Sequence, residues 1–166
     1  MVFFILNFLL LFTIFVINLG CVNLKITDNE PVESKKIRFR LAQDSRFQQI
    51  TSKNNYQVTL QNKYDGGIIA MESSCPSYKD DHFNIIKNSL TNPNIQVIDT
   101  PLVIDQRNSK QFQIEGFKEG IRFTVWLIQY EKFGCKQSLI LLNQSQAFAN
   151  NQDEFLKIIN TVRVEP

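Results

Sequence analysis

The sequence predicts an α/β (α+β) domain built as a mostly antiparallel sheet flanked by helices. Three observations predict it. Segments with a period of two are joined by short turns, as at Asp65-Gly66-Gly67 and Lys118-Glu119-Gly120. Several of those segments are apolar at consecutive positions, so both faces of the sheet need cover. Two further segments place apolar residues at helical spacing, one between strands and one near the C-terminus.

The chain has 166 residues, enough for one domain of ordinary size. Charged residues make up 20% and aromatic residues 11%, which is a globular rather than a disordered composition. The net charge of +2 is too small to argue for nucleic acid.

Met1–Gly20 carries no charged side chain, and 16 of its 20 residues are apolar. It reads as a secretory signal or a membrane anchor, set apart from the fold. It lacks the Lys or Arg usual near the start of such a signal. The junction Asn18-Leu19-Gly20-Cys21 resembles the lipobox of bacterial lipoproteins. Gly20 and Cys21 match it; Asn18 stands where an aliphatic residue is usual. The resemblance implies lipidation at Cys21, with several acyl chains holding the domain to a membrane. An uncleaved anchor and ordinary cleavage with a free Cys21 thiol are the other readings. Residues 21–36 are polar and without period, as in a flexible tether. The globular part is then 37–166.

Ile37–Leu41 alternates, with Ile37, Phe39 and Leu41 inward and Arg38 and Arg40 solvated. Phe47–Ser52 fits a helical turn or a strand. Tyr56–Leu60 alternates and turns back at Gly66-Gly67 into the strand Gly66–Cys75. Ile68, Ile69, Ala70 and Met71 there call for cover on both faces. Asp80–Leu90 reads as a helix with Phe83, Ile86 and Leu90 on one side, ended by Asn92-Pro93. Ile95–Asp105 reads as a strand that bends at Pro101 or lies on an edge. Lys110–Phe117, Ile121–Tyr130 and Cys135–Asn143 follow as strands. Gln144–Asn150 reads as a loop. Asn151–Val162 reads as a helix, with Asn151 and Glu154 as a capping box.

Three cysteines occur. Assigning Cys21 to the anchor leaves Cys75 and Cys135 as an even pair in an exported domain. Cys75 ends one strand and Cys135 begins another. A disulfide between them is expected if those strands are antiparallel neighbours. The other reading is two buried, reduced, unrelated thiols.

No catalytic constellation is found. The one histidine, His82, follows Asp80 and Asp81 without metal-ligand spacing and reads as the start of a surface helix. Glu72 and Glu115 read as outward, solvated acids. Trp126, Tyr130 and Phe133 fit a core better than a binding platform. With no Cys-x-x-Cys, zinc spacing or Walker motif, no cofactor is expected.

The order of elements resembles the PsbP-like fold. It runs from an early hairpin and the Gly-Gly-Ile-Ile-Ala strand through a helix and the Phe-Gln-Ile-Glu-Gly meander. A long apolar strand and a C-terminal Phe-x-x-Ile-Ile helix complete it. Relatives of that fold include the photosystem subunit PsbP and small bacterial lipoproteins of DcrB type. The likeness spans Ile37 to Val164. It implies an antiparallel sheet flanked by helices and a non-catalytic binding or assembly role, and no site residue carries over.

The sequence therefore leads to a membrane-tethered, non-enzymatic lipoprotein module on the periplasmic side of a bacterial cell envelope, or a secreted one. It would bind or help assemble a protein partner. A carrier of a small apolar ligand and a cryptic hydrolase are the alternatives. A closed apolar pocket would mark the carrier, and polar side chains converging on His82 the hydrolase.

Overall fold

The computed structural model describes residues 36–51, 56–75 and 81–166. The N-terminal apolar run, the tether and Cys21 lie outside the described residues. Among those described, no helix is long and apolar enough to cross a membrane.

The described elements run β1 (Ile37–Arg38), β2 (Phe47–Gln49), β3 (Val58–Asn62), β4 (Ile68–Ser74), α1 (His82–Ser89), β5 (Thr91–Ile98), β6 (Val103–Ile104) and β7 (Arg107–Asn108). They continue with β8 (Lys110–Lys118), β9 (Ile121–Lys132), β10 (Cys135–Gln144), α2 (Ser145–Ile159) and β11 (Arg163–Val164). Seven of the strands form one sheet in the order β2-β3-β4-β10-β9-β8-β5. Every neighbouring pair is antiparallel. β1 with β11, and β6 with β7, form small separate ribbons.

The centre of the sheet is the β9–β10 hairpin. Its turn is Phe133-Gly134, with φ of 55° and 73°. Two-residue turns of this hand match the twist of paired strands, and glycine takes the second position without steric cost.

Alternation along β9 sends Trp126, Ile128 and Tyr130 to one face and Val125 and Leu127 to the other. The first face packs against α2. Leu60, Ile69, Met71, Leu139 and Leu141 meet Phe148, Phe155, Ile158 and Ile159, and β1 and β11 extend the cover through Ile37 and Val164. Trp126 and Phe155 meet edge to face, 5.6 Å between ring centroids. The second face packs against α1, where Ile86, Phe83 and Leu90 cover Ala70, Ile114, Val125, Leu127 and Ile140. Each large side chain so buried contributes about 1.5–3 kcal/mol.

Several elements differ from expectation. The C-terminal helix begins at Ser145, not Asn151. Asn151 is therefore a helix-interior residue, fully buried, and no cap. Its amide bonds Asn62 and Asp65, which ties α2 to the β3–β4 turn and replaces the expected capping role. The first helix starts at His82, with Asp81 as its N-cap accepting from the Phe83 N–H. Asn92-Pro93 does not follow a helix end directly but lies inside β5. Proline is tolerated there because β5 is an edge strand with an irregularity between Thr91 and Asn94. Past Ile98 the chain leaves the sheet and makes the β6–β7 ribbon instead of bending on as one strand. Ile37–Leu41 pairs only at its first two residues, although Phe39 and Leu41 still pack on the core. Phe47–Gln49 is a strand.

Candidate functional site

Strand register assembles one polar row on the α1 face. Lys110 on β8 lies opposite Gln129 on β9, Gln129 opposite Ser138 on β10, and Ser138 opposite Glu72 on β4. These residues stand far apart in the sequence. They share a face only because four antiparallel strands are in register.

The start of α1 closes the inner end of this row. His82 Nε2 lies 2.8 Å from Glu72 Oε2, and the His82 ring is 4% exposed as a residue. The Tyr56 ring centroid is 5.9 Å from that of His82. Ser74 Oγ donates to Glu72 Oε1 at 3.3 Å. Two sequence expectations are overturned here. His82 is buried rather than on the surface, and Glu72 is a paired acid rather than a solvated one. The reason is that the first turn of α1 faces the sheet, where His82 meets Glu72 of β4. Glu115 is likewise paired, with Arg122.

Gln129 Nε2 donates to Ser138 Oγ at 3.3 Å. It also reaches Asp81 Oδ1 at 3.5 Å, and Lys136 Nζ lies 3.8 Å from the same oxygen. Polar side chains do converge around His82. His82 bonds Glu72 and Ser138 bonds Gln129, and among the described residues no bond joins Ser138 to His82.

Outside His82 and Asp81 the row opens into a cleft of about 600 Å³. Phe83 and Phe112 form its apolar side, with ring centroids 4.9 Å apart. A second cleft, of about 520 Å³, lies by Phe117, Arg122 and Ser145. Both clefts are open to solvent. Neither is the closed apolar pocket that would mark a carrier.

On the other face the polar groups serve the fold. Asp105, at the turn between β6 and β7, accepts from Lys132 Nζ at 2.6 Å and from the Val164 N–H at 2.9 Å. It thus joins β9, β11 and the β6–β7 ribbon. Burial, and then the nearby Asp105 carboxylate, hold the Tyr130 phenol above its usual range against the pull of Arg163. Glu154 on α2 accepts from Ser45 Oγ at 2.6 Å and from Arg46 N and Nε at 2.9 Å each. Burial pushes its carboxyl up, but the bonds from Ser45 and Arg46 and the guanidinium charge outweigh that and leave it lowered. Trp126 and Tyr130 belong to the core, and Phe133 is exposed, so the three form no platform.

Cys75 follows Ser74, which pairs with Lys136, so Cys75 stands opposite Cys135 on adjacent antiparallel strands. The structure joins them, with S–S 2.04 Å and Cα–Cα 4.0 Å. Sequence reasoning located this pair from strand ends. It did not locate Asn62, Asn151 or Asp105, whose partners lie across the fold. The one available signal was a polar residue within an otherwise apolar segment.

Comparisons with known proteins bear on the fold. No protein-family model and no curated protein matches the chain. Among solved structures, the chain is similar to LpqN of Mycobacterium tuberculosis, described as involved in cell envelope biogenesis. The identity is 13% and the TM-score 0.52, over 84% of this chain and 88% of that one. A Bacteroides thetaiotaomicron VPI-5482 protein gives 12% identity and a TM-score of 0.51, over 78% of this chain and 45% of that one. The cyanobacterial PsbP of Synechocystis sp. PCC 6803 aligns at 8% identity with a TM-score of 0.47, over 84% of this chain and 99% of that one. At such identities the likeness is one of fold. The architecture implied by the sequence resemblance, an antiparallel sheet flanked by helices, is the one this chain adopts.

Proposed function

We propose that the chain is a membrane-tethered, non-catalytic module of the bacterial cell envelope that binds or helps assemble a protein partner. The apolar run ending at Gly20-Cys21 supports export and lipidation of the DcrB-type pattern. The bridge between Cys75 and Cys135 supports an oxidising compartment on the outer side of the membrane. The fold shared with LpqN, a protein involved in cell envelope biogenesis, is consistent with that setting.

The observation that carries the partner reading is the free edge of β5. Among the described residues nothing pairs with its outer side. Asn94-Ile95-Gln96-Val97-Ile98 contains no charge and no proline, and Val97 is 62% exposed. Edge strands are usually guarded by charge, proline or bulges, and here the irregularity and Pro93 guard only the first half. An extended segment of a partner protein would add to this edge as a further strand.

The test uses the full chain expressed in bacteria. Membrane fractionation, acyl mass on Cys21 and crosslinking in intact membranes are measured on wild type, Cys21→Ala and Val97→Lys. Acylation lost with Cys21→Ala, and a discrete protein crosslink lost with Val97→Lys, would support the reading. A chain found in the cytosol with both thiols reduced, or a crosslink indifferent to Val97→Lys, would reject it.

A further inference from the structure

We propose that the cleft at the α1 corner of the sheet binds a small aromatic carboxylate. This concerns a small molecule and stands or falls apart from the protein-partner reading.

The cleft has an apolar side and a cationic rim. Phe83 on α1 and Phe112 on β8 pack with ring planes 52° apart and are both half-buried. A tilted pair of this kind leaves ring faces and edges for a third ring to meet. Its volume of about 600 Å³ suits a ligand of a few tens of atoms at most.

Charge decides the sign of the ligand. Arg107, Lys110 and Lys136 line the cleft, as do the carboxylates of Asp81 and Glu131. Asp81 is engaged within the protein, by the Phe83 N–H, Gln129 and Lys136. Glu131 stands opposite Lys136 in the β9–β10 ladder but is exposed and makes no ion pair among the described residues, so it leaves one free carboxylate on the rim. Lys136 is thus next to both acids. Arg107 and Lys110 are exposed, come from two different strands, and make no ion pair among the described residues.

A carboxylate between Arg107 and Lys110 gains two charge-assisted contacts while its ring covers Phe83 and Phe112. A cationic analogue would meet two unpaired cations against the single unpaired carboxylate of Glu131. A neutral analogue would keep only the ring contacts.

The experiment titrates 6-fluoro-2-naphthoate, followed by fluorine NMR, into the full chain held in phosphatidylcholine nanodiscs. The matching naphthyl alcohol and naphthylmethyl ammonium are run beside it. Arg107 and Lys110 are solvent-exposed, so the variant Arg107→Gln/Lys110→Gln is expected to fold normally. The naphthoate should bind saturably, and the double variant should weaken it about tenfold or more, as for loss of charge-assisted contacts. Lys157→Gln, remote on α2, should leave binding unchanged. Phe112→Ser should weaken all three probes. Equal binding of the ammonium analogue, an unaffected double variant, or a signal reproduced by empty nanodiscs would overturn the proposal.

Discussion

The two faces of the sheet are closed by different means. On one, the fifteen residues of α2 and the β1–β11 ribbon bury Phe155, Ile159, Leu139 and Leu141. Polar groups there act as locks, as Asn151 does between Asn62 and Asp65. On the other, the eight residues of α1 cover a smaller apolar cluster. They leave a corner where a polar row and an aromatic pair reach solvent. A face with surplus cover serves stability. A face with minimal cover keeps room for a ligand.

The sharpest test of that contrast compares Phe155→Ala with Ile86→Ala. Phe155 is fully buried under α2, so its loss should cost about 3–5 kcal/mol. Ile86, 9% exposed beneath a short helix, should cost about 2 kcal/mol, near the lower limit for such truncations. Urea unfolding measures both. Equal costs would remove the distinction between the faces.

The disulfide tests what holds the middle of the sheet. It spans a sequence separation of 60. The chain-entropy argument then assigns about 4 kcal/mol to the bridge. Cys75→Ser and Cys135→Ser should destabilise alike, and the double variant no more than either. A clearly additive double variant would mean that each sulfur acts through its own packing.

A buried amide lock and a paired acid should behave differently. Asn151→Leu leaves Asn62 and Asp65 short of a buried partner, at a cost of about 2–3 kcal/mol that does not vary between pH 5 and 8. If Asn151→Leu is neutral in thermal unfolding, the amide chain is no lock.

Glu154→Gln gives the smallest effect and the one with a pH signature. The Glu154 carboxyl is lowered from an ordinary 4.5 by Ser45 and Arg46, after burial has pushed it up. A lowered carboxyl contributes stability that is fully present above its unfolded value and is lost as pH falls through its folded one. The variant should be about 1–2 kcal/mol weaker at pH 7, and the gap should close as pH falls from the ordinary 4.5 through the lowered folded value. A gap that persists at pH 3 would assign the effect to packing.

Much of this architecture was legible in the sequence because it rests on local rules. Period-two alternation marked β3 and β8, and long apolar runs marked β9 and β10. The turns at Asp65-Gly66-Gly67 and Lys118-Glu119-Gly120 were visible through their glycines, of which Gly66 and Gly120 take positive φ. Apolar residues on successive positions announced that both faces would be covered. The Cys75–Cys135 pair was legible because strand ends, and the even pair left once Cys21 is set aside, are read from the sequence.

The candidate site was not legible, and the reason is register. Lys110, Gln129, Ser138 and Glu72 are ordinary strand residues until four ladders bring them into one row. His82 looked like a surface residue because burial depends on how the first turn of α1 meets the sheet, which no local pattern encodes. Asn151 matched a helix cap in its spacing to Glu154, yet the helix extends past it toward Ser145. There the packing of Phe148 on the core outweighs the weaker helix preference of Ser and Asn. Sequence alone determined the order of the main strands and helices and the faces of their apolar residues, since those follow from each residue and its near neighbours. Tertiary structure alone decided which polar side chains meet, since that depends on long-range pairing between strands far apart in the chain.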